Sequence, residues 1–100
     1  MQNLHNASTD RLFDAILQLK NREECYAFFE DVCTIKEIMD MSQRLDAAFM
    51  LADGANYQEI SKKVGISTAT ISRVSRCLQY GSGGYKTVIE RLREGEKNDG

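Results

Sequence analysis

Ala69, Ser72, Arg73 and Arg76 fall at i, i+3, i+4 and i+7, which gathers small, polar and basic side chains on one stripe of a helix. The major groove of duplex DNA accepts such a stripe. Ser67, Thr68 and Ala69 at its N-terminal end are short enough to approach base edges, where an alanine or a threonine methyl can meet thymine's methyl group. Arg73 and Arg76 can reach a guanine edge or a phosphate. Lys62 and Lys63, just upstream, can neutralise backbone charge, which gives affinity without sequence information. Tyr57 either touches a phosphate or covers the core. The expected DNA-contacting set is therefore Tyr57, Lys62, Lys63, Ser67, Thr68, Ala69, Ser72, Arg73 and Arg76, with Thr70 between stripes and structural.

Other chemistries find little support. His5 is the only histidine and lies in a polar segment with no carboxylate or thiol that a fold would hold beside it. Cys25 and Cys33 are eight residues apart on one expected helix, about 12 Å, too far to share a zinc ion unaided. Gly81-Ser82-Gly83-Gly84 lacks the lysine and following Ser/Thr of a phosphate loop and reads as a linker. The expectation is a protein that is not an enzyme and carries no metal or cofactor. Three cysteines without a CxxC pair suit a reducing compartment, with the thiols buried. No secretory signal and no apolar run near 18 residues is present, so the expected location is the cytoplasm, off the membrane.

The net charge of −2 hides a segregation. Residues 1–55 hold five basic and ten acidic side chains, whereas 56–80 carry Lys62, Lys63, Arg73 and Arg76 against Glu59 alone. A basic module on an acidic body is the footprint of a domain that offers one face to phosphates. A second reading has the same face docking an acidic protein partner in a helical interaction module.

The elements that must position this face are helices. The chain has no proline, and Ala, Leu, Glu, Lys, Arg and Gln are abundant, which favours an all-α fold. One hundred residues make one domain. Surface scaling gives roughly 5,700 Å² folded against about 16,400 Å² extended, thin burial for a monomer, so a homodimer is expected. Residues 1–9 read as a flexible tail and 10–53 as dimerisation helices. The first of these spans 10–20. The second follows Asn21 and buries Cys25, Phe28, Phe29 and Val32; the third opens on the capping box Thr34-Ile35-Lys36-Glu37 and ends before Gly54. Residues 56–80 form a helix-turn-helix: Ile60 and Val64 face inward, Ile66 plugs the turn, Ile71, Val74 and Leu78 face back, and Gly65 reverses the chain. Ser61 is small enough to let the two helices approach. A last helix over 84–93 carries Tyr85, Val88, Ile89 and Leu92, before a tail over 94–100 that frays.

Four stretches carry a resemblance: 24–34 (ECYAFFEDVCT), Gln43-Arg44-Leu45, 64–74 (VGISTATISRV) and 77–81 (CLQYG). From Leu12 to Leu92 the chain resembles the Trp repressor-like proteins, most of all the YerC/YecD group of Trp repressor-related proteins. The resemblance implies a homodimer whose N-terminal helices interlock, with a helix-turn-helix on each flank placing one recognition helix in successive major grooves. It also implies a corepressor pocket at Thr34, Arg44 and Arg73. Two positions depart from that pocket. Val74 stands where the repressor has a glycine that leaves room for the indole, and Cys77 where it has a serine. Val74 falls where a ligand-independent helix-turn-helix puts an apolar side chain into its own core, so tryptophan is not the expected effector. The helix cap accounts for Thr34 by itself.

Overall fold

The computed structural model describes residues 3–99, and among them every regular element is a helix: α1 (Ala7–Ile16), α2 (Arg22–Val32), α3 (Ile35–Ala52), α4 (Tyr57–Val64), α5 (Thr68–Tyr80) and α6 (Gly84–Asp99). Side-chain caps start four of them. Asn6, Asn21, Asn56 and Ser67 accept the N–H of the residue three places on, Thr9, Glu24, Glu59 and Thr70. The capping box before α3 is reciprocal: Thr34 Oγ1 accepts the Glu37 N–H at 3.1 Å, and Glu37 Oε1 accepts the Thr34 N–H at 2.9 Å. Gly54, at φ +88°, closes α3, with Ala55 N–H bonding Met50 O and Gly54 N–H bonding Leu51 O.

Three helix boundaries differ from the sequence expectation. α1 begins at Ala7 because Asn6 provides the cap, so 7–9 are helical rather than tail. It also ends at Ile16, short of Lys20: the Gln18 and Leu19 N–H groups turn back to the Ala15 and Ile16 carbonyls, and Glu24 reaches back from α2 to accept the Lys20 N–H at 2.9 Å, before the extended cap Asn21. α6 runs to Asp99, where fraying was expected from 94. Arg, Leu, Glu and Lys are strong helix formers, no proline stops them, and Lys97 lies in the last turn, where a cation suits the dipole. Met1, Gln2 and Gly100, the ends of the two expected tails, lie outside the described residues.

The chain divides into two compact units, 1–38 and 39–100, at a boundary inside α3. In the first unit no residue from 3 to 38 is buried. Phe28 and Phe29 are half-buried and meet edge-to-face at 5.6 Å, but Cys25 and Val32 are exposed, contrary to the expected burial. Arg22, Cys25, Tyr26, Phe29 and Ile38 line an open groove of about 350 Å³.

The second unit has the core. Ala47, Ile60 and Ile71 are fully buried in one cluster, flanked by Met50, Leu51, Ala55, Val64 and Ile66. Ala48, Val74 and Ile89 form another, flanked by Phe49, Leu51, Leu78 and Tyr85. Of the expected α6 stripe only Ile89 is buried, because Ala48 and Val74 cover one side of that helix; Val88 and Leu92 remain exposed. Arg93 pairs with Asp53 and lies over the Phe49 ring at 5.6 Å, pinning α6 to the end of α3. No helix among the described residues is long and apolar enough to cross a membrane.

Burial and pairing differ in weight. Ile60→Ala should cost about 2–5 kcal/mol, while Arg93→Ala, which breaks a pair with 39% and 66% side-chain exposure, should cost about 1 kcal/mol or less. Urea unfolding at fixed protein concentration would rank the two.

Candidate nucleic-acid interface

α4 and α5 are joined by Gly65, Ile66 and Ser67. Gly65 caps α4 in the left-handed region, φ +82° and ψ 33°, and donates its N–H to Ser61 O at 2.9 Å. A Cβ there would meet nothing within 4 Å, so the need for glycine is conformational rather than steric. Ile66 tucks into the cluster of Ala47, Ile60 and Ile71, as the sequence suggested. Ser61 does more than stay small: its hydroxyl donates to the Ile66 carbonyl at 2.7 Å. Gln43 Nε2 reaches the Val64 carbonyl from α3 at 3.5 Å. A serine or glutamine among polar neighbours carries no sequence signal for a bond across a turn or between helices.

α5 is two-sided. Ile71 and Val74, one turn apart, are 0% and 2% exposed. Ala69, Ser72, Arg73 and Arg76 on the other stripe are all exposed, as are Tyr57, Lys62, Lys63, Ser67 and Thr68. Among the described residues, none of Lys62, Lys63, Arg73 and Arg76 forms an ion pair within the chain, so their charges are open to an outside anion. The roles separate on closer view. Ser67 Oγ is occupied, accepting the Thr70 N–H at 3.1 Å and sharing a hydrogen with Thr70 Oγ1 at 3.0 Å, and Thr70 is half-buried as a structural residue would be. No such bond engages Thr68. Lys63 borders a groove of about 570 Å³ with Asp46, Gln43 and Met50, on the α3 side of α4.

The positions matching a corepressor pocket are Thr34, Arg44 and Arg73, with Val74 and Cys77 as the two departures. Thr34 is engaged in the α3 cap. Arg44 and Arg73 are exposed. Val74 packs with Ala48 and Ile89. Cys77 is exposed and borders an apolar groove of about 560 Å³ with Leu45, Tyr85 and Val88. With Cys25 also exposed and Cys33 half-buried, the thiols are not the buried set expected.

A two-sided helix behind a glycine turn, on an all-α frame with a basic exposed face, defines a helix-turn-helix protein. The family model described as Trp repressor protein matches residues 7–93, and the chain belongs to that family. Within it, the chain falls with YerC: it is 50% identical over 93 residues to the uncharacterised protein YerC of Bacillus subtilis (strain 168), a match covering 93% of this chain and 89% of that one. Two solved structures share the fold. A TrpR-like protein from Eubacterium eligens ATCC 27750 superposes with a TM-score of 0.87 at 54% identity, over 89% of this chain and 92% of the other. A candidate Trp repressor from Staphylococcus aureus does so with a TM-score of 0.87 at 52% identity, over 90% of each.

The burial of Val74 sets an expectation for stability. Val74→Gly removes a side chain packed against Ala48 and Ile89 and places glycine inside a helix, which together should cost roughly 2–4 kcal/mol. Chemical denaturation at fixed concentration would measure it, and a change below about 1 kcal/mol would mean that the site relaxes to fill the gap.

Proposed function

We propose that the protein is a sequence-specific DNA-binding transcriptional regulator, acting as a repressor, that works in the cytoplasm as a homodimer and without tryptophan. The carrying observation is the division of α5, with Ile71 and Val74 buried while Ala69, Ser72, Arg73 and Arg76 stand exposed. In this reading α5 enters the major groove. Thr68 and Ala69 approach base edges, Arg73 and Arg76 contact guanine or phosphate, Tyr57, Lys62 and Lys63 follow the backbone, and Ser67 holds the start of the helix. Membership of the Trp repressor family supports this, and it is a binding role rather than an enzymatic one.

A second copy supports the symmetry that operators read by such helices have. Among its described residues unit 1 has no buried side chain, and Leu12, Phe13, Leu17, Tyr26, Val32 and Ile35 are exposed in it. A unit of this size, below about 40 residues, needs a disulfide, a metal or a partner chain to be stable. Its cysteines are free, which favours the partner chain. Interlocked N-terminal helices are the arrangement the family suggests. Val74, by occupying the space beside Ala48 and Ile89, argues against an indole slot at Arg44 and Arg73.

Salt-dependent binding to duplex DNA tests this reading against the protein-docking alternative. Arg73→Ala or Arg76→Ala should weaken binding by about 1–3 kcal/mol and relax specificity at one base position. Lys62→Ala should lower affinity evenly across sequences and reduce the salt slope by roughly one unit. Unchanged binding in all three variants would move the DNA face elsewhere. Sedimentation should give a species of roughly 23 kDa, twice 11.3 kDa, and a monomer at micromolar protein would remove the dimer. Titration of the wild type with L-tryptophan should release no heat and leave DNA affinity unchanged; saturable binding coupled to tighter DNA binding would show that Val74 leaves the slot open.

A further inference from the structure

Ser61 brackets the turn between the two helices twice. Its backbone carbonyl accepts the Gly65 N–H at 2.9 Å, and its hydroxyl crosses Gly65 to donate to the Ile66 carbonyl at 2.7 Å. The second bond fills a vacancy left by the cap of α5. The Thr70 N–H, four residues beyond Ile66, goes instead to Ser67 Oγ at 3.1 Å, while the Ile71 N–H takes the Ser67 carbonyl at 3.1 Å. Without the serine hydroxyl, the carbonyl of a half-buried residue would lose its partner within the chain. The Ile66 side chain is held in the cluster of Ala47, Ile60 and Ile71, so its backbone and side chain are fixed from opposite directions.

We propose that Ser61 is a positioning residue for DNA reading: its hydroxyl fixes the peptide at Ile66 and thereby the direction in which α5 presents Thr68 and Ala69. The assignment rests on the DNA-binding reading above. Three residues separate the helices, so a rotation of the Ile66 peptide shifts the first turn of α5, ahead of the packed Ile71 and Val74. Base readout needs hydrogen-bond geometry at defined edges, whereas long side chains on phosphates tolerate a change of angle. Loss of the hydroxyl therefore falls on specific binding and spares binding that depends on charge alone.

The test is Ser61→Ala in the full chain, with Ser61→Thr as the variant that keeps a hydroxyl. Alanine favours the helix, so α4 itself is not weakened by the change. Amide exchange of Gly65 and Thr70, whose N–H groups are bonded on either side of the turn, should accelerate about tenfold, with the Val74 amide unchanged. Affinity for the tightest duplex recovered from a random pool should fall about five- to thirtyfold, with affinity for mixed-sequence duplex unchanged. Ser61→Thr should restore both. Unchanged exchange at Gly65 and Thr70, or an equal loss of affinity for selected and mixed duplex, would overturn the assignment. So would a general loss of protection that includes Val74, which would make Ser61 a folding residue. Failure of the wild type to enrich any duplex would overturn the DNA-binding reading and the DNA half of this assignment, and the exchange rates alone would then decide the latch.

Discussion

The burial of Ile71 and Val74 on one side of α5 is the constraint from which the rest follows. The two are three residues apart and enter different clusters, Ile71 with Ala47 and Ile60, Val74 with Ala48 and Ile89. Consecutive alanines of α3 thus meet consecutive inward positions of α5. Each fully buried aliphatic side chain contributes roughly 1.5–3 kcal/mol, so rotating α5 by even a third of a turn would expose one of them. With the inward side fixed in this way, the helix has no choice about its outward side, and Ala69, Ser72, Arg73 and Arg76 face solvent.

Val74 also bears on regulation. A helix-turn-helix with a gap at this point would hold α5 less firmly until a ligand filled it. Here an isopropyl group is in place, packed against α3 and α6. The Asp53–Arg93 pair, with Arg93 over Phe49, holds α6 at the same end of α3. The proposed reading head is therefore assembled by its own side chains. The first unit is the opposite case. Its helices are well capped and well formed, yet none of its described residues, 3–38, is buried.

That contrast explains what the sequence allowed one to read. Signals acting over three or four residues were legible: the Asn21 cap, the Thr34–Glu37 box, the positive φ at Gly65, and the separation of the Ile71/Val74 stripe from the Arg73/Arg76 stripe. Features that join distant segments were not. Ala47 and Ala48 are the most deeply buried residues of α3, but alanine is common on any helix face. Asp53 and Arg93 are forty residues apart. The Ser61–Ile66 bond needs the turn to exist before it can be seen. Cys25 and Val32 were misread because apolar periodicity tells which side of a helix seeks cover without saying whether the same chain supplies it.

The central claim is that the α4–α5 head reads DNA by itself, with no small molecule to complete it. Selection of bound sequences from a random duplex pool by the wild-type protein, in buffer free of any added ligand, tests it most directly. The account predicts enrichment of one half-site repeated with two-fold symmetry, its copies about one helical turn apart or a multiple of it. Enrichment of nothing, or enrichment that appears only when tryptophan is supplied, would contradict it.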